Sequence, residues 1–168
     1  IAIGQGEVTA TPLQMANLGA TIANRGYFIT PHVVKEVEDE ALDSLYTTKR
    51  YTKVREEHYE TVVQGMRAAV TGGTCRAANL PGLDVCGKTG TAQNRGKDHS
   101  AFMGFAPMDN PKIAVSVYVE NGGWGATYGV PIGALIIEKY LNGKLSPQSE
   151  VKANDIQMRR IDYGIHER

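Results

Sequence analysis

Gly82-Leu83-Asp84-Val85-Cys86-Gly87-Lys88-Thr89 decides the fold. Letter for letter it satisfies the phosphate-loop pattern G-x-x-x-x-G-K-[ST]. That loop needs a buried strand before it and a helix directly after it, whose first amides cradle phosphates. Upstream stands Arg76-Ala77-Ala78-Asn79-Leu80-Pro81, which is not a buried strand. Downstream stands Gly90-Thr91-Ala92-Gln93-Asn94-Arg95-Gly96-Lys97, a poor helix start. Leu83, Val85 and Cys86 look instead like the buried face of a strand. The match is therefore read as accidental, and Lys88 is placed on a strand.

Working outward, three runs share strand character: 83–93, 100–106 and 113–120. Ile113-Ala114-Val115-Ser116-Val117-Tyr118-Val119 is the most strand-like segment. Pro107-Met108-Asp109-Asn110-Pro111 is a turn joining two antiparallel strands. Before the runs, Thr11-Pro12-Leu13-Gln14 starts a helix with a capping box and Pro at the first helical position. Ala16, Gly19, Ala20 and Ala23 give it a small-residue face, and Asn24-Arg25-Gly26 stops it. A second helix spans about 56–70, with Tyr59, Val62, Val63, Met66, Ala69 and Val70 at helical spacing. Glu56, Glu57 and Glu60 suit its positive N-terminal end. A last helix spans about 130–141, with Ile132, Leu135, Ile136 and Tyr140 expected on its packed face. Short strands are expected at 32–37 and around Tyr46, Tyr51 and Val54. Residues 144–168 read as a polar, partly ordered tail. Helices, a three-strand meander and a helix make an α+β domain.

The chain has 168 residues, with 18 Lys plus Arg against 18 Asp plus Glu. A zero balance gives no electrostatic reason to expect nucleic acid as partner. Hydrophobic residues at 42% and charged residues at 21% exclude bulk disorder, and no apolar run reaches 18 residues. His32, His58, His99 and His166 show no metal-ligand spacing. Cys75 and Cys86 can form one bridge or sit as two small buried apolar residues, the second being the plainer reading. The chain opens Ile1-Ala2-Ile3 with no initiator Met and no signal peptide, so a piece of a larger protein is expected.

Lys88-Thr89-Gly90 has chemistry of its own on a strand. An edge strand leaves backbone groups free for an extended peptide to add as a further strand. Lys88 supplies positive charge, Thr89 and Thr91 supply hydroxyls, and Gly90 admits close approach. Four stretches carry a family resemblance in order: Gly4-Gln5-Gly6 through Asn17, Gly87 through Gln93, His99 through Pro107, and Gly129 through Leu141. The chain resembles the class B penicillin-binding proteins, the elongation type most closely, over most of residues 1–143. The resemblance implies the C-terminal part of a transpeptidase domain of the serine β-lactamase-like fold. It implies a D,D-transpeptidase that cross-links peptidoglycan stem peptides through a serine acyl-enzyme and binds β-lactams, with no cofactor and no metal. Lys88 and Thr91 would be catalytic, with the Thr91 N–H in an oxyanion hole. Thr89, Gly90, Thr91 and Gln93 would bind substrate. The resemblance also implies a parent at the periplasmic face of the inner membrane, anchored outside this chain and working with cell-elongation machinery.

The family nucleophile is the Ser of an S-x-x-K box, supported by an S-x-N box. The five serines are Ser44, Ser100, Ser116, Ser146 and Ser149. Only Ser149-Glu150-Val151-Lys152 fits the first spacing, late and in the polar tail, and none fits the second. The expectation is a portion without its nucleophile, inactive alone, whose incomplete sheet exposes an apolar edge or face and favours self-association. Two other readings stand beside it: a non-catalytic binding module of the same fold, and a nucleotide-binding protein using Gly82–Thr89.

Overall fold

The computed structural model describes residues 4–161 and 163. Its elements are α1 (Pro12–Ala23), β1 (Tyr27–Phe28), β2 (Arg50–Tyr51), α2 (Glu56–Thr71), β3 (Cys86–Ala92), β4 (His99–Ala106), β5 (Ile113–Val119), α3 (Gly129–Asn142) and α4 (Pro147–Met158). The α1 start forms as read: Gln14 N donates to Thr11 Oγ1 at 3.2 Å, and Thr11 N donates to Gln14 Oε1 at 2.8 Å.

β3, β4 and β5 form an antiparallel meander in that order. The register sets Lys88 opposite Met103, Gly90 opposite Ala101 and Thr91 opposite Ser100, with Met103 opposite Ser116 on the far side. Because side chains alternate along a strand, this register sorts them onto two faces. Cys86 and Phe105 pack against Ile22, Ala23, Tyr59, Val63 and Met66 of α1 and α2. Phe102, Ala106, Val115 and Val117 pack against Val130, Ala134 and Ile137 of α3, together with Val70, Cys75 and Val85. Helices thus cover both faces of one sheet. Arg67 of α2 fixes the start of β3, donating to the Val85 carbonyl and to Asp84 at 3.0 Å each.

Several expectations are corrected. The packed stripe of α3 is Val130, Gly133, Ala134 and Ile137, whereas Ile136 and Tyr140 are exposed. Size decides this. A Cβ on Gly133 would lie 2.4 Å from Phe102 Cδ1, so only a small-residue stripe lets α3 sit on that ring. Val62 of α2 likewise faces solvent. Residues 32–37 form no strand; Val37 makes one bridge to Glu40 and Val33 is fully exposed. The second expected strand shrinks to β2, which pairs with β1 through Tyr27 and Tyr51. The stretch read as a partly ordered tail contains α4. Ser146 caps it by accepting from Ser149 N, Pro147 occupies its first turn, and the Ser146 N–H reaches Glu138 of α3 at 3.0 Å. The rest of that expectation, at 162 and 164–168, lies outside the described residues.

Among the described residues no strand pairs with the outer side of β5, and Tyr118 on it is exposed. The packing gives a paired test. Gly133→Ala drives a methyl into Phe102 and is expected to lower unfolding free energy by about 1–3 kcal/mol. Gly65→Ala in α2 meets nothing within 4 Å and is expected to raise it by about 0.5–1 kcal/mol. Guanidinium unfolding of the two variants checks both signs; a harmless Gly133→Ala would contradict the close approach.

Candidate active site

β3 is an edge strand, and its hydrogen bonds show which groups face outward. The N–H and C=O of one antiparallel residue point to the same side, alternating along the strand. Gln5 Nε2 donates to the Thr91 carbonyl at 3.2 Å, and Gln93 N donates to Gln5 Oε1 at 3.2 Å. Lys88 Nζ donates to the Thr89 carbonyl at 2.9 Å. Positions 89, 91 and 93 therefore face away from β4. The Thr91 N–H points to that open side, as an oxyanion donor requires.

The pleat splits the side chains of this edge between the two faces. Lys88 and Gly90 share a face with Ala101, Met103, Ser116 and Tyr118. A groove of about 700 Å³ lies over that face, walled by Gly4–Gly6, Val8–Ala10, Pro12 and Met15 and rimmed by Lys88–Ala92. Thr89 and Thr91 point to the other face. There the Thr89 hydroxyl lies 2.8 Å from that of Thr74, and Thr91 Oγ1 accepts from Gly125 N at 3.3 Å. Thr91 keeps its own hydroxyl proton to donate. A ligand lying along the edge, rather than on either face, meets the ammonium, the hydroxyls and the outward N–H together.

The β5–α3 loop is pinned to this edge by a buried serine. Ser100 Oγ donates to the Trp124 carbonyl at 2.8 Å and accepts from Gly129 N at 3.0 Å. Gly125 then lies flat on the β3–β4 rung; a Cβ there would sit 2.5 Å from the Gly90 oxygen and 2.6 Å from the Ala101 oxygen. Gly122 and Gly123 line a second cavity of about 370 Å³ with Lys97 and Trp124.

The expected site residues separate accordingly. Lys88, Thr89, Gly90 and Thr91 rim the groove. The side chain of Gln93 does not line it, and its backbone N–H is held by Gln5. Thr74, Gly125 and Gln5 went unrecognised as site residues. Ser149 is buried in the first turn of α4, which packs on α3 across the sheet from the Lys88 side chain. Cys75 and Cys86 are free thiols in different cores. Burial raises both, Cys86 to about 11; a hydrogen bond with Thr74 and then the Lys88 charge pull Cys75 partly back. No helix among the described residues is long and apolar enough to cross a membrane.

A helix-covered antiparallel sheet thus carries Lys88-Thr89-Gly90 on its open edge. The chain belongs to the penicillin-binding protein transpeptidase family: the family described as penicillin binding protein transpeptidase domain matches residues 1–141. It is 33% identical over 182 aligned positions to the peptidoglycan D,D-transpeptidase MrdA of Haemophilus influenzae, covering 95% of this chain and 28% of that protein. It is 34% identical over 160 positions to the peptidoglycan D,D-transpeptidase PbpA of Mycobacterium tuberculosis, covering 84% and 31%. The structure of Pseudomonas aeruginosa PBP2 in complex with WCK 5153 superposes with a TM-score of 0.68 at 37% identity, covering 87% of this chain and 33% of that one. The imipenem acyl-enzyme of M. tuberculosis penicillin-binding protein A gives 0.69 at 34% identity, covering 83% and 33%. The chain thus spans about a third or less of the length of these relatives.

Ser100→Ala tests how the edge is held. It leaves the Trp124 carbonyl and the Gly129 N–H without their partner and is expected to cost about 1–3 kcal/mol in urea unfolding. An unchanged midpoint would mean that the loop is fixed by other contacts.

Proposed function

We propose that this chain forms the Lys-Thr-Gly wall of a peptidoglycan D,D-transpeptidase, with residues 1–143 as the C-terminal portion of the transpeptidase domain and 144–168 as an appended segment. The outward N–H of Thr91, on an edge strand beside the Lys88 ammonium, carries this reading. A stem peptide lies along β3 with its C-terminal carboxylate at the Lys88 end. Lys88 supplies the countercharge, and Thr89 and Thr91 supply hydroxyl donors. Gly90 lets the peptide backbone come close.

The nucleophile is a serine outside these 168 residues. Its oxygen bonds to the carbonyl carbon of the penultimate D-Ala. The carbonyl oxygen takes up negative charge, which the Thr91 N–H stabilises. The C–N bond to the terminal D-Ala then breaks, and that D-Ala leaves as an amine with the proton the serine gave up. The amine of a second stem peptide attacks the ester, forms the cross-link and returns a proton to the serine. A β-lactam enters the same path through its strained amide, but its leaving group stays tethered. Ser149 is buried on α4 and takes no part.

Support for this reading comes from the relatives named as peptidoglycan D,D-transpeptidases and from solved β-lactam acyl-enzymes of similar fold. The parent belongs, in this proposal, at the periplasmic face of the inner membrane, anchored through a segment outside this chain. A partner among cell-wall polymerising proteins is supported by a similar chain in a peptidoglycan synthase complex, with 35% identity and a TM-score of 0.68.

A fluorescent penicillin tests the proposal. The full-length protein is expected to label covalently, and residues 1–168 alone are not. Lys88→Ala in the full-length protein is expected to slow acylation about 10- to 100-fold, the loss of one charge-assisted contact. A full-length protein that does not label, or labelling of residues 1–168 alone, would contradict it.

A further inference from the structure

Gln5 reaches 86 and 88 residues along the chain to touch β3. Its single amide holds two outward groups, the Thr91 carbonyl and the Gln93 N–H, each at 3.2 Å. One planar group thereby takes the place of a neighbouring strand across positions 91 to 93. The flanking glycines aim it: Gly4 and Gly6 have φ of 77° and 141°, conformations that residues with a Cβ rarely adopt. A Cβ on Gly4 would meet nothing within 4 Å, so glycine is required there by backbone conformation and not by crowding.

The two groups are withdrawn unequally. A carbonyl oxygen has two lone pairs, so the Thr91 carbonyl can accept again. An N–H has one proton, so the Gln93 N–H is spent. The outward N–H of Thr91 faces the open side beside it. The edge that an extended peptide can use is therefore open at Thr91 and shut at Gln93.

We propose that Gln5 is a specificity-determining residue that ends the peptide-docking edge of β3 at Thr91. This rests on the reading that the donor peptide pairs with β3. With its carboxylate at the Lys88 end, an antiparallel peptide runs its upstream residues toward position 93. Its residue opposite Thr91 finds a partner; the next backbone carbonyl that would seek Gln93 finds the Gln5 amide in place. Recognition is drawn from the C-terminal residues of the donor, and upstream backbone adds little. A chain of varied upstream composition or branching is accepted on the same terms.

The test uses the full-length protein and two acetylated donors ending in D-Ala-D-Ala, one with no upstream residue, whose acetyl carbonyl stops one residue short of Gln93, and one with two. The readout is the ratio of kcat/KM, long over short. The wild type is expected to give a ratio near one. Gln5→Ala frees the Gln93 N–H and is expected to raise the ratio about threefold to tenfold, the yield of one hydrogen bond. Gln5→Asn, one methylene too short to span both groups, is expected to follow it and serves if the alanine variant folds poorly. Gln5→Glu keeps an acceptor on the Gln93 N–H and is expected to stay near the wild-type ratio. A brace that only stiffened the fold would lower both donors alike and leave the ratio unmoved in every variant, which would overturn the proposal. So would a wild type that already favours the long donor tenfold while labelling normally with a fluorescent penicillin. A wild type that neither labels nor turns over either donor would overturn the transpeptidase reading itself, and this inference with it.

Discussion

Each backbone group on a strand has one side to face, and among the described residues β3 has a partner strand on only one side. Its inward groups bond to β4 across the Cys86–Phe105 to Ala92–His99 register. The outward groups at 89, 91 and 93 are left to the surroundings. The chain covers this edge without a further strand: Lys88 Nζ takes the Thr89 carbonyl, and Gln5 takes the Thr91 carbonyl and the Gln93 N–H. An unprotected edge of this kind invites pairing with another chain. Here the exposed portion is short, charged and set beside a groove, and in the proposed function this liability of sheets becomes a place where an extended peptide is bound in one register.

The packing on both faces serves to hold that edge flat and in place. On one face, Phe102 sits beneath the small stripe of α3, and the close approach at Gly133 leaves the helix little freedom to shift. Interiors this tightly packed transmit small displacements rather than absorb them. On the same side, Ser100 is fully buried and fixes the loop whose Gly125 lies on the Gly90 rung. On the other face, α1 and α2 pack against Cys86 and Phe105 and stop short of Lys88, leaving room for the groove. The position of Lys88 is thus set by a strand that is buried at its start and bare at its end.

Much of this was legible because it is local. The three strand runs follow from period and turn residues, and α1 follows from Thr11, Pro12 and Gln14. The phosphate-loop pattern fails on context, and β3 does continue as a strand through Lys88 and Thr89. What was not legible depends on partners far along the chain. Ile132, Leu135, Ile136 and Tyr140 form an apolar stripe in the sequence, but the ring of Phe102 selects Gly133 and Ala134; Ile132 stays against the core while Ile136 and Tyr140 turn to solvent. The α4 helix lacks an apolar stripe; its signal was Ser146-Pro147 with Glu150 behind it, a capping pattern in a polar stretch. Lys88, Thr89, Gly90 and Thr91 were singled out through the family resemblance, with Lys88 already placed on a strand. Thr74 and Gly125 could not, since nothing local announces a threonine or a glycine that meets β3. Gln5 stood inside a recognised stretch, yet its contact with β3 needs the folded chain.

In the proposed function the outward edge of β3 is the surface that a substrate or β-lactam covers. Amide hydrogen exchange on the full-length protein, with and without benzylpenicillin, tests this directly. Acylation is expected to slow exchange in the segment 88–92, at the Thr91 N–H above all, and to leave β5 at 113–119 unchanged. Protection confined to β5 or α4, with 88–92 exchanging as in the free protein, would contradict it.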